Sequence, residues 1–245
     1  MLRWSVTPDW IHVADKQDQP GDEAEAAYCF RYGSQWIGFA EMRRAAKSNG
    51  GVVERGTTIN WELLTSRDGR HWSRPIRELF FADNSKETWR HQVFKVFANP
   101  PIQRNGKLLI YYGGKTGTVP IEKDYEPFQA MCLATLRADG FVSLTAGEEA
   151  GQLITKPFVV TGNRLLLNVA VHDAGEARVE LLDEQQQTIP GFGLSNSIPI
   201  QGQSIEQTVS WRGDAKWGQL TDKRVRLRIK LRNADLYAIW TASKG

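Results

Sequence analysis

The stretch of sequence that decides the fold is the turn Ser66-Arg67-Asp68-Gly69-Arg70-His71-Trp72. Related turns occur at Thr7-Pro8-Asp9-Trp10 and at Arg137-Ala138-Asp139-Gly140-Phe141. Their aspartates are 59 and 71 residues apart along the chain. Self-similarity at such spacings is typical of proteins built from repeated structural units. We therefore interpret the first part of this 245-residue chain as a repeat fold.

The hairpins that precede these turns repeat as well. The segment Phe30–Phe39 contains Gly33, and the segment Ile102–Tyr111, offset by 72 residues, contains Asn105-Gly106. Each unit then consists of a strand, a Gly-containing tight turn, a strand, a long loop, a strand and an Asp-Gly turn before the last strand. This order is typical of a four-stranded propeller blade.

The repeat predicts the strands of two blades. The first blade uses Ala26–Arg31, Trp36–Met42, Ile59–Thr65 and Ile76–Phe81; the second uses Val93–Ile102, Lys107–Tyr112 and Ala130–Leu136, followed by Phe141–Leu144. Residues 1–14 fit the end of a preceding blade. Residues 40–48 favour helix locally, although a loop is equally compatible with them. Because complete propellers have about four to eight blades, we predict an incomplete propeller of two to three.

The pattern changes near Gly151, where short alternating strands continue without the Asp-Gly repeat. We predict these strands at Gly151–Thr155, Leu165–Val171, Ala177–Leu182, Ile198–Ile200, Ile205–Val209, Val225–Leu231 and Leu236–Trp240. Turns are predicted at Asp173-Ala174-Gly175 and Ile189-Pro190-Gly191. Such a pattern favours a β-sandwich. The sequence thus predicts an all-β protein with partial propeller blades at 1–146 and a β-sandwich at 147–245.

Composition and charge restrict the function classes. The net charge is +3 and the basic residues are scattered, so no nucleic-acid partner is expected. The one dense basic run, Lys223–Lys230, alternates with apolar residues and predicts a strand with one solvated face. Cys29 and Cys132 lie in apolar runs and favour buried thiols. No signal peptide and no membrane-spanning stretch is found, which predicts a soluble, cytoplasmic protein without a membrane partner.

Three stretches carry a resemblance to a known family. Residues 64–75 (LTSRDGRHWSRP), 106–114 (GKLLIYYGG) and 134–143 (ATLRADGFVS) together resemble the five-bladed β-propeller glycoside hydrolases of families 32 and 43, whose propeller precedes a β-sandwich. The resemblance implies a carbohydrate substrate and spans nearly the whole chain, but it matches the last part of such a protein. The family's catalytic carboxylates lie on earlier blades, so the motifs assign no catalytic residue here. The chain is either a truncated product without that site, or it forms a site from what remains, across a subunit interface for example.

Two polar loops offer candidate site residues. Glycoside cleavage requires one carboxylic acid and one carboxylate, and it benefits from an aromatic platform for the sugar. The loop at 82–91 and the loop at 113–129 supply Asp83, Glu87, Asp124 and Glu126 as catalytic candidates, and Trp89, Arg90, His91 and Tyr125 as substrate-binding candidates. The alternative for both loops is a solvated surface, since loops normally carry charge.

Two further carboxylates lie inside apolar runs. Glu41 and Glu62 are candidates because a carboxylate at a strand end can face a cleft, the alternative being the outward side of an alternating strand. Asp9, Asp68 and Asp139 are interpreted as turn-forming residues. The four histidines show no zinc-type spacing, so we expect neither a metal nor another cofactor.

The sequence therefore predicts a glycoside hydrolase that acts on oligosaccharides or glycosides, with its site on the blade loops or at a subunit interface. The alternative is a non-catalytic carbohydrate-binding or interaction module derived from a truncated propeller glycosidase. Incomplete propellers leave apolar faces that a monomer rarely exposes. We therefore expect a homo-oligomer, or a sandwich folded over the open face.

Overall fold

The computed structural model describes residues 15–45, 59–81, 92–96, 99–115 and 129–243. The described chain is all-β, which confirms the predicted class, and the strand pairs whose register is described are antiparallel. Its strands are β1 (Glu23–Tyr32), β2 (Gln35–Arg43), β3 (Ile59–Ser66), β4 (Trp72–Ser73), β5 (Gln92–Val96), β6 (Ile102–Arg104), β7 (Lys107–Lys115), β8 (Gln129–Arg137), β9 (Leu144–Ala146), β10 (Gly151–Ile154), β11 (Phe158–Val159), β12 (Arg164–Leu182), β13 (Gln203–Thr208) and β14 (Arg224–Ala242).

The chain divides into two compact units, Met1–Leu136 and Arg137–Gly245. The first unit contains one sheet in which β1, β2, β3 and β4 pair in chain order. Its first three strands confirm the sequence prediction. Residues 40–43, for which a helix or a loop was predicted, instead continue β2, because that strand is paired on both sides.

The predicted fourth strand, Ile76–Phe81, is wrong. The strand that pairs with β3 is the two-residue β4, with Thr65 opposite Ser73 and Ser66 opposite Trp72. Pro75 follows two residues later, and proline cannot donate a ladder hydrogen bond. The chain returns to the sheet only at Phe80, whose amide donates to the carbonyl of Trp61 at 2.8 Å.

The two local turns behave as their chemistry predicts. Asp68 Oδ1 accepts from the amides of Arg70 and His71, both at 2.8 Å, so this aspartate does fix the turn. Asn105 and Gly106 both have positive φ, of 50° and 70°, and join β6 to β7. Two positive φ values define the type I′ turn that matches the twist of a hairpin. Asp9 lies outside the described residues.

The second sheet of the first unit is formed around β7, which pairs with β5, β6 and β8. The single strand predicted at Val93–Ile102 is broken into β5 and β6, because Pro100-Pro101 interrupts the ladder. The strand predicted at Phe141–Leu144 is displaced to β9, and it pairs with β14 rather than with β8. Phe80 and Phe81, in the chain after β4, contact Phe39 of the first sheet, and Phe81 also contacts Tyr112 of the second.

The second unit is built on two 19-residue strands, β12 and β14, which pair along most of their length. Each of them merges two predicted strands. The turn predicted at Asp173-Ala174-Gly175 is wrong, since these residues form a bulge within β12 between Val171 and Glu176. The backbone takes positive φ there at Ala174 (57°) while the pairing resumes beyond it. Ile198–Ile200 contributes one isolated bridge, between Ile200 and Ala177, rather than a strand.

Alternation along β14 places the core. Val225, Leu227 and Ile229 are fully buried, whereas Arg224 and Lys230 are exposed. The predicted strand with one solvated face is thus confirmed. The buried side joins β12 residues and the aromatic side chains Phe192, Trp211 and Trp217 in one hydrophobic core. The turn predicted at Ile189–Gly191 is also present, with Phe192 donating to the carbonyl of Ile189 at 3.0 Å.

Candidate functional site

Most of the predicted site residues fall in the two polar loops. Asp83, Glu87, Trp89, Arg90, His91, Asp124, Tyr125 and Glu126 all lie outside the described residues. Glu41 and Glu62 are described, and both lie in the first sheet. The register places Glu62 opposite Ala40 and Glu41 opposite Trp61. Neighbouring positions of one strand point to opposite faces, so these two carboxylates lie on opposite faces of the sheet and do not form a pair.

Glu62 belongs to a group of charged side chains that we call the arginine–carboxylate cluster. Its members are Asp15, Asp18, Asp22, Glu62, Arg44, Arg74 and Arg77. The Glu62 side chain has 0% solvent exposure, and those of Asp18 and Arg74 have 3% and 2%. The cluster reaches solvent through Asp15, whose side chain is 47% exposed.

Arg74 is the centre of the cluster. Its Nη1 donates to Asp18 Oδ1 at 2.9 Å and to Glu62 Oε2 at 3.0 Å, and its Nη2 donates to Asp18 Oδ2. The bond to Asp18 is therefore bidentate, which is the strongest geometry for a guanidinium and a carboxylate. Arg74 follows β4 directly, so the turn at Asp68 and the short β4 together place its guanidinium beside β3.

Arg44 supports the same carboxylates from the end of β2. Its Nη1 donates to Asp22 Oδ2 at 2.7 Å, and its Nη2 forms an ion pair with Glu62 Oε1. Arg77 reaches Asp15 Oδ2 at 2.6 Å and Asp18 Oδ1 at 3.2 Å. The cluster thus ties the segment at 15–22 to β2, β3 and the chain after β4.

The carboxylates also order their own segment. Asp18 Oδ2 accepts from the amide of Asp15 at 2.8 Å, and Asp22 accepts from the amides of Gln19 and Ala45 at 3.1 and 2.8 Å. These bonds satisfy the main chain of a segment that forms no strand before β1. Asp18 and Asp22 therefore stabilise the main chain of this segment in addition to pairing with the arginines.

The electrostatic balance keeps the aspartates ionised. Burial alone would raise the pKa of Asp18, but Arg74, the amide of Asp15 and Arg44 outweigh it and lower the pKa from 3.8 to about 2. For Asp22, burial is likewise outweighed by the amide of Ala45 and by Arg44, and the pKa is lowered. Arg77 is the main cause of the lowered pKa of Asp15. These aspartates cannot act as proton donors near neutral pH.

We expect the cluster to make the first unit sensitive to acid. A lowered pKa means that the ionised form stabilises the fold above the unfolded-state pKa of 3.8, and that this contribution is lost as the pH falls toward about 2. For Asp18 the loss should be about 2 kcal/mol between pH 4 and 2. Urea denaturation midpoints measured between pH 4 and 2 test this expected loss of stability. Asp18→Asn should flatten the dependence in that window, and an unchanged slope would contradict the assignment.

A second candidate site lies entirely within the second unit. It is an open cleft of about 610 Å³, which is in the range of about 300–1,000 Å³ typical of small-molecule sites. Its lining residues come from the start of β12 and from the chain between β13 and β14: Asn163, Arg164, Thr208, Val209, Ser210, Trp211, Gly213, Ala215, Lys216, Trp217, Gly218 and Gln219. None of these residues was predicted as a site residue.

Two tryptophans fix the floor of the cleft. Trp211 donates through Nε1 to the carbonyl of Val179 at 2.9 Å, and its ring lies 5.1 Å from that of Phe192. Trp217 lies in a 3₁₀ helix (Trp217–Leu220) and stacks on Phe158 at 6.3 Å. Both indoles are nearly fully buried, so they support the cleft while the polar residues form its surface.

The polar side chains of the cleft differ in how many hydrogen bonds they already make within the protein. Gln219 closes the loop, since its Oε1 accepts from the amide of Lys216 at 3.1 Å and its Nε2 donates to the carbonyl of Asp214 at 3.0 Å. Arg164 has no side-chain hydrogen bond or ion pair to another described residue, and its Nε is buried without an acceptor. Thr208, Ser210 and Lys216 are exposed. The cleft therefore offers hydroxyl, amide and cationic groups to a polar ligand.

Two other kinds of feature are absent from the described residues. Within the described ranges, no group of three or more His, Cys, Asp or Glu side chains is arranged to hold a metal ion. In the same part of the chain, no helix has the length and apolar character needed to cross a membrane. No protein-family model matches this chain, and no curated protein matches it.

Proposed function

We propose that this protein binds carbohydrate through the cleft of its second unit and does not hydrolyse it. The scaffold that we propose is the one implied by the resemblance, with incomplete propeller blades in the first unit and a β-sandwich in the second. The carbohydrate ligand and the scaffold derive from the sequence resemblance, and both are supported by separate features of the described residues.

The pairing of the strands supports the scaffold. In the first unit, β1 to β4 pair in chain order, which is how a propeller blade is arranged. In the second unit, the bulged strands β12 and β14 enclose an apolar core on one side and carry charge on the other. This alternation is what a two-sheet sandwich requires.

The composition of the cleft is the observation that carries the proposal. A sugar presents many hydroxyl groups, which need donors and acceptors at fixed positions. The lining includes the amide of Asn163 and the hydroxyl groups of Thr208 and Ser210. The buried side chains of Trp211 and Trp217 anchor the backbone of the cleft. The cleft is open to solvent along polar side chains, as a binding site for a soluble sugar needs to be.

The arginine–carboxylate cluster argues against hydrolysis by the described residues. A glycosidase needs one carboxyl group that is protonated when the substrate binds. Asp15, Asp18 and Asp22 have lowered pKa values, and Glu62 is fully buried between Arg44 and Arg74. Glu41 lies on the opposite face of the sheet from Glu62.

Glycoside hydrolysis is the second candidate function, and one observation favours it. Asp18 and Glu62 each accept a hydrogen bond from the same nitrogen, Arg74 Nη1, so their oxygens lie within two hydrogen-bond lengths of each other. The carboxyl groups of retaining glycosidases are about 5–5.5 Å apart, which is a comparable separation. The predicted loop residues Asp83, Glu87, Asp124 and Glu126 would have to supply the missing proton donor.

Binding of oligosaccharides to the purified full-length protein tests the proposal. Isothermal titration with a panel of neutral and acidic oligosaccharides should detect a ligand. Ser210→Trp should then weaken binding at least tenfold, because a bulky ring would occupy the cleft at an exposed position. Ser195→Trp is the matched control, since Ser195 is exposed in the same unit but does not line the cleft, and it should bind as the wild type does.

Turnover separates the two candidate functions. We expect no release of nitrophenol from a panel of nitrophenyl glycosides. Turnover that is lost in Glu41→Ala, Glu62→Ala, Glu87→Ala or Asp124→Ala would replace the binding proposal with hydrolysis. Absence of binding to every sugar in the panel would refute the proposed function.

The homo-oligomer predicted from the sequence stays a prediction. Large apolar side chains in the second sheet of the first unit support it, because Ile102, Tyr111, Met131 and Leu133 are 52%, 41%, 76% and 49% exposed. Isolated apolar side chains are normal at a surface, whereas a contiguous set often marks an interface.

A further inference from the structure

The cleft of the second unit carries an unbalanced positive charge. Arg164 and Lys216 both line it, whereas no aspartate or glutamate does. Two other partly buried arginines of this unit have acceptors within the protein. Arg178 donates to Glu176 at 3.1 Å, and Arg228 donates to Glu180 at 2.6 Å. The Nε of Arg164 is buried without an acceptor among the described residues; the Nε of Arg228 is in the same state, but its Nη1 is paired with Glu180.

An arginine in this state is suited to an anionic ligand. A guanidinium that is partly removed from water loses hydration, and only an acceptor brought by the ligand can replace it. Its planar fork matches an oxyanion in bidentate geometry, and Lys216 adds a second positive charge at an exposed position. The exposed hydroxyl groups of Thr208 and Ser210 can bond to the hydroxyl groups of the same ligand.

We infer that the ligand of this cleft is an acidic oligosaccharide whose oxyanion is bound by Arg164, with Lys216 as a second cationic contact. The inference rests on the proposed carbohydrate-binding function and specifies its ligand class. The oxyanion can be the carboxylate of a uronic acid or the sulfate of a sulfated sugar, because both match the guanidinium fork.

The test compares matched sugars on the full-length protein by isothermal titration. The probes are trigalacturonic acid, its fully methyl-esterified form, and a sulfated oligosaccharide of similar length. One of the two acidic probes should bind at least tenfold more tightly than the neutral ester, since a charge-assisted bidentate pair is worth about one to two decades of affinity. This preference should also weaken at high salt, because the site is open.

Two variants locate the effect. Arg164→Gln should reduce the affinity for the acidic sugar to that for the ester, and Lys216→Gln, at an exposed position, should reduce it by a smaller factor. Arg232→Gln is the matched control on β14, outside the cleft, and should bind as the wild type does. Thermal melting of each variant verifies that it is folded. If Arg164→Gln does not fold, Lys216→Gln still tests the inference.

The possible outcomes are distinct. Equal affinity for the acidic sugars and the ester, or an unchanged preference in both cleft variants, would overturn the inference while the proposed function stands. Binding of neutral sugars without binding of acidic sugars would also overturn the inference and leave the proposed function standing. If no sugar of either kind binds, the proposed function itself is refuted.

Discussion

Replacing Glu62 with glutamine should lower the free energy of unfolding of the first unit by about 3–5 kcal/mol. The substitution keeps the shape of the side chain but removes its charge, and it leaves Arg74 and Arg44 facing a neutral amide in a site with no solvent exposure. Removal of one partner from a buried ion pair is costly because the remaining charge stays out of water. Hydrogen exchange of peptides from β3, measured at increasing urea concentrations, gives this free energy for the first unit alone.

The matched control is Glu25→Gln. Glu25 pairs with Arg43 in the same sheet, but their side chains are 21% and 20% exposed, so water replaces much of the lost interaction. We expect a cost of about 1 kcal/mol or less there. If Glu62→Gln does not fold, Glu62→Asp, which keeps the charge on a shorter side chain, should show an intermediate loss. Equal, small losses at both positions would contradict a buried role for Glu62.

The same comparison separates structural from catalytic roles. A catalytic carboxylate can usually be replaced with little loss of stability, since catalytic sites retain some strain. A carboxylate that holds two guanidinium groups cannot. A large loss of stability in Glu62→Gln would therefore assign Glu62 to the scaffold, and any loss of activity in this variant would have to be corrected for unfolded protein.

The parts of the fold that the sequence predicted are those fixed by local chemistry. The two-residue loops at Gly33 and at Asn105-Gly106 set the hairpin registers, and the apolar runs of β2 and β3 match strands that are buried on both faces over residues 37–40 and 61–64. Ile76–Phe81 misled the prediction because its apolar residues resemble a strand, although in the described part of the chain it forms no strand ladder and bonds to β3 through the amide of Phe80. Ile76 and Leu79 are 42% and 48% exposed, which shows that hydrophobic residues alone do not define a strand.

The prediction for the second unit failed for a related reason. Asp173-Ala174-Gly175 has the composition of a turn, and a turn was the simplest interpretation. In the structure, pairing with β14 continues past these residues, and the extra residues are accommodated as a bulge. Long-range pairing of this kind leaves no local signal that distinguishes a bulge from a turn.

The candidate sites were predictable to different degrees. Glu62 was singled out because a carboxylate is unusual in an apolar run, but its partners Asp18 and Arg44 are distant in sequence and could not be inferred. The cleft was missed because its polar residues are ordinary surface residues. The only local signal was that Trp211 and Trp217 flank a short segment that contains Gly213. Two tryptophans so close to a glycine indicate a loop with a buried anchor.

Asn168 provides the second large expected effect. It lies in the apolar run of β12, has 0% solvent exposure, and makes three side-chain hydrogen bonds. Its Oδ1 accepts from Arg137 Nε at 2.6 Å, and its Nδ2 donates to the carbonyl of Ala138 at 2.7 Å and to Asp139 Oδ2 at 3.2 Å. Asn168→Leu should lower the free energy of unfolding of the second unit by about 2–4 kcal/mol, because a buried carbonyl loses its donor and a guanidinium loses an acceptor.

Hydrogen exchange of peptides from β12 and β14 measures this loss, and Asn196→Leu is its control. Asn196 donates one hydrogen bond, to the carbonyl of Gly191 at 3.1 Å, at a position near solvent, so about 1 kcal/mol or less is expected. A loss in Asn168→Leu no larger than this would show that water replaces the amide.

The result also bears on the repeated turn. Asp68 stabilises its own turn by accepting from the amides of Arg70 and His71. Asp139, in contrast, accepts a hydrogen bond from the side chain of Asn168 in β12. Turns that match in sequence are thus stabilised in different ways, and only the second depends on a residue distant in the chain.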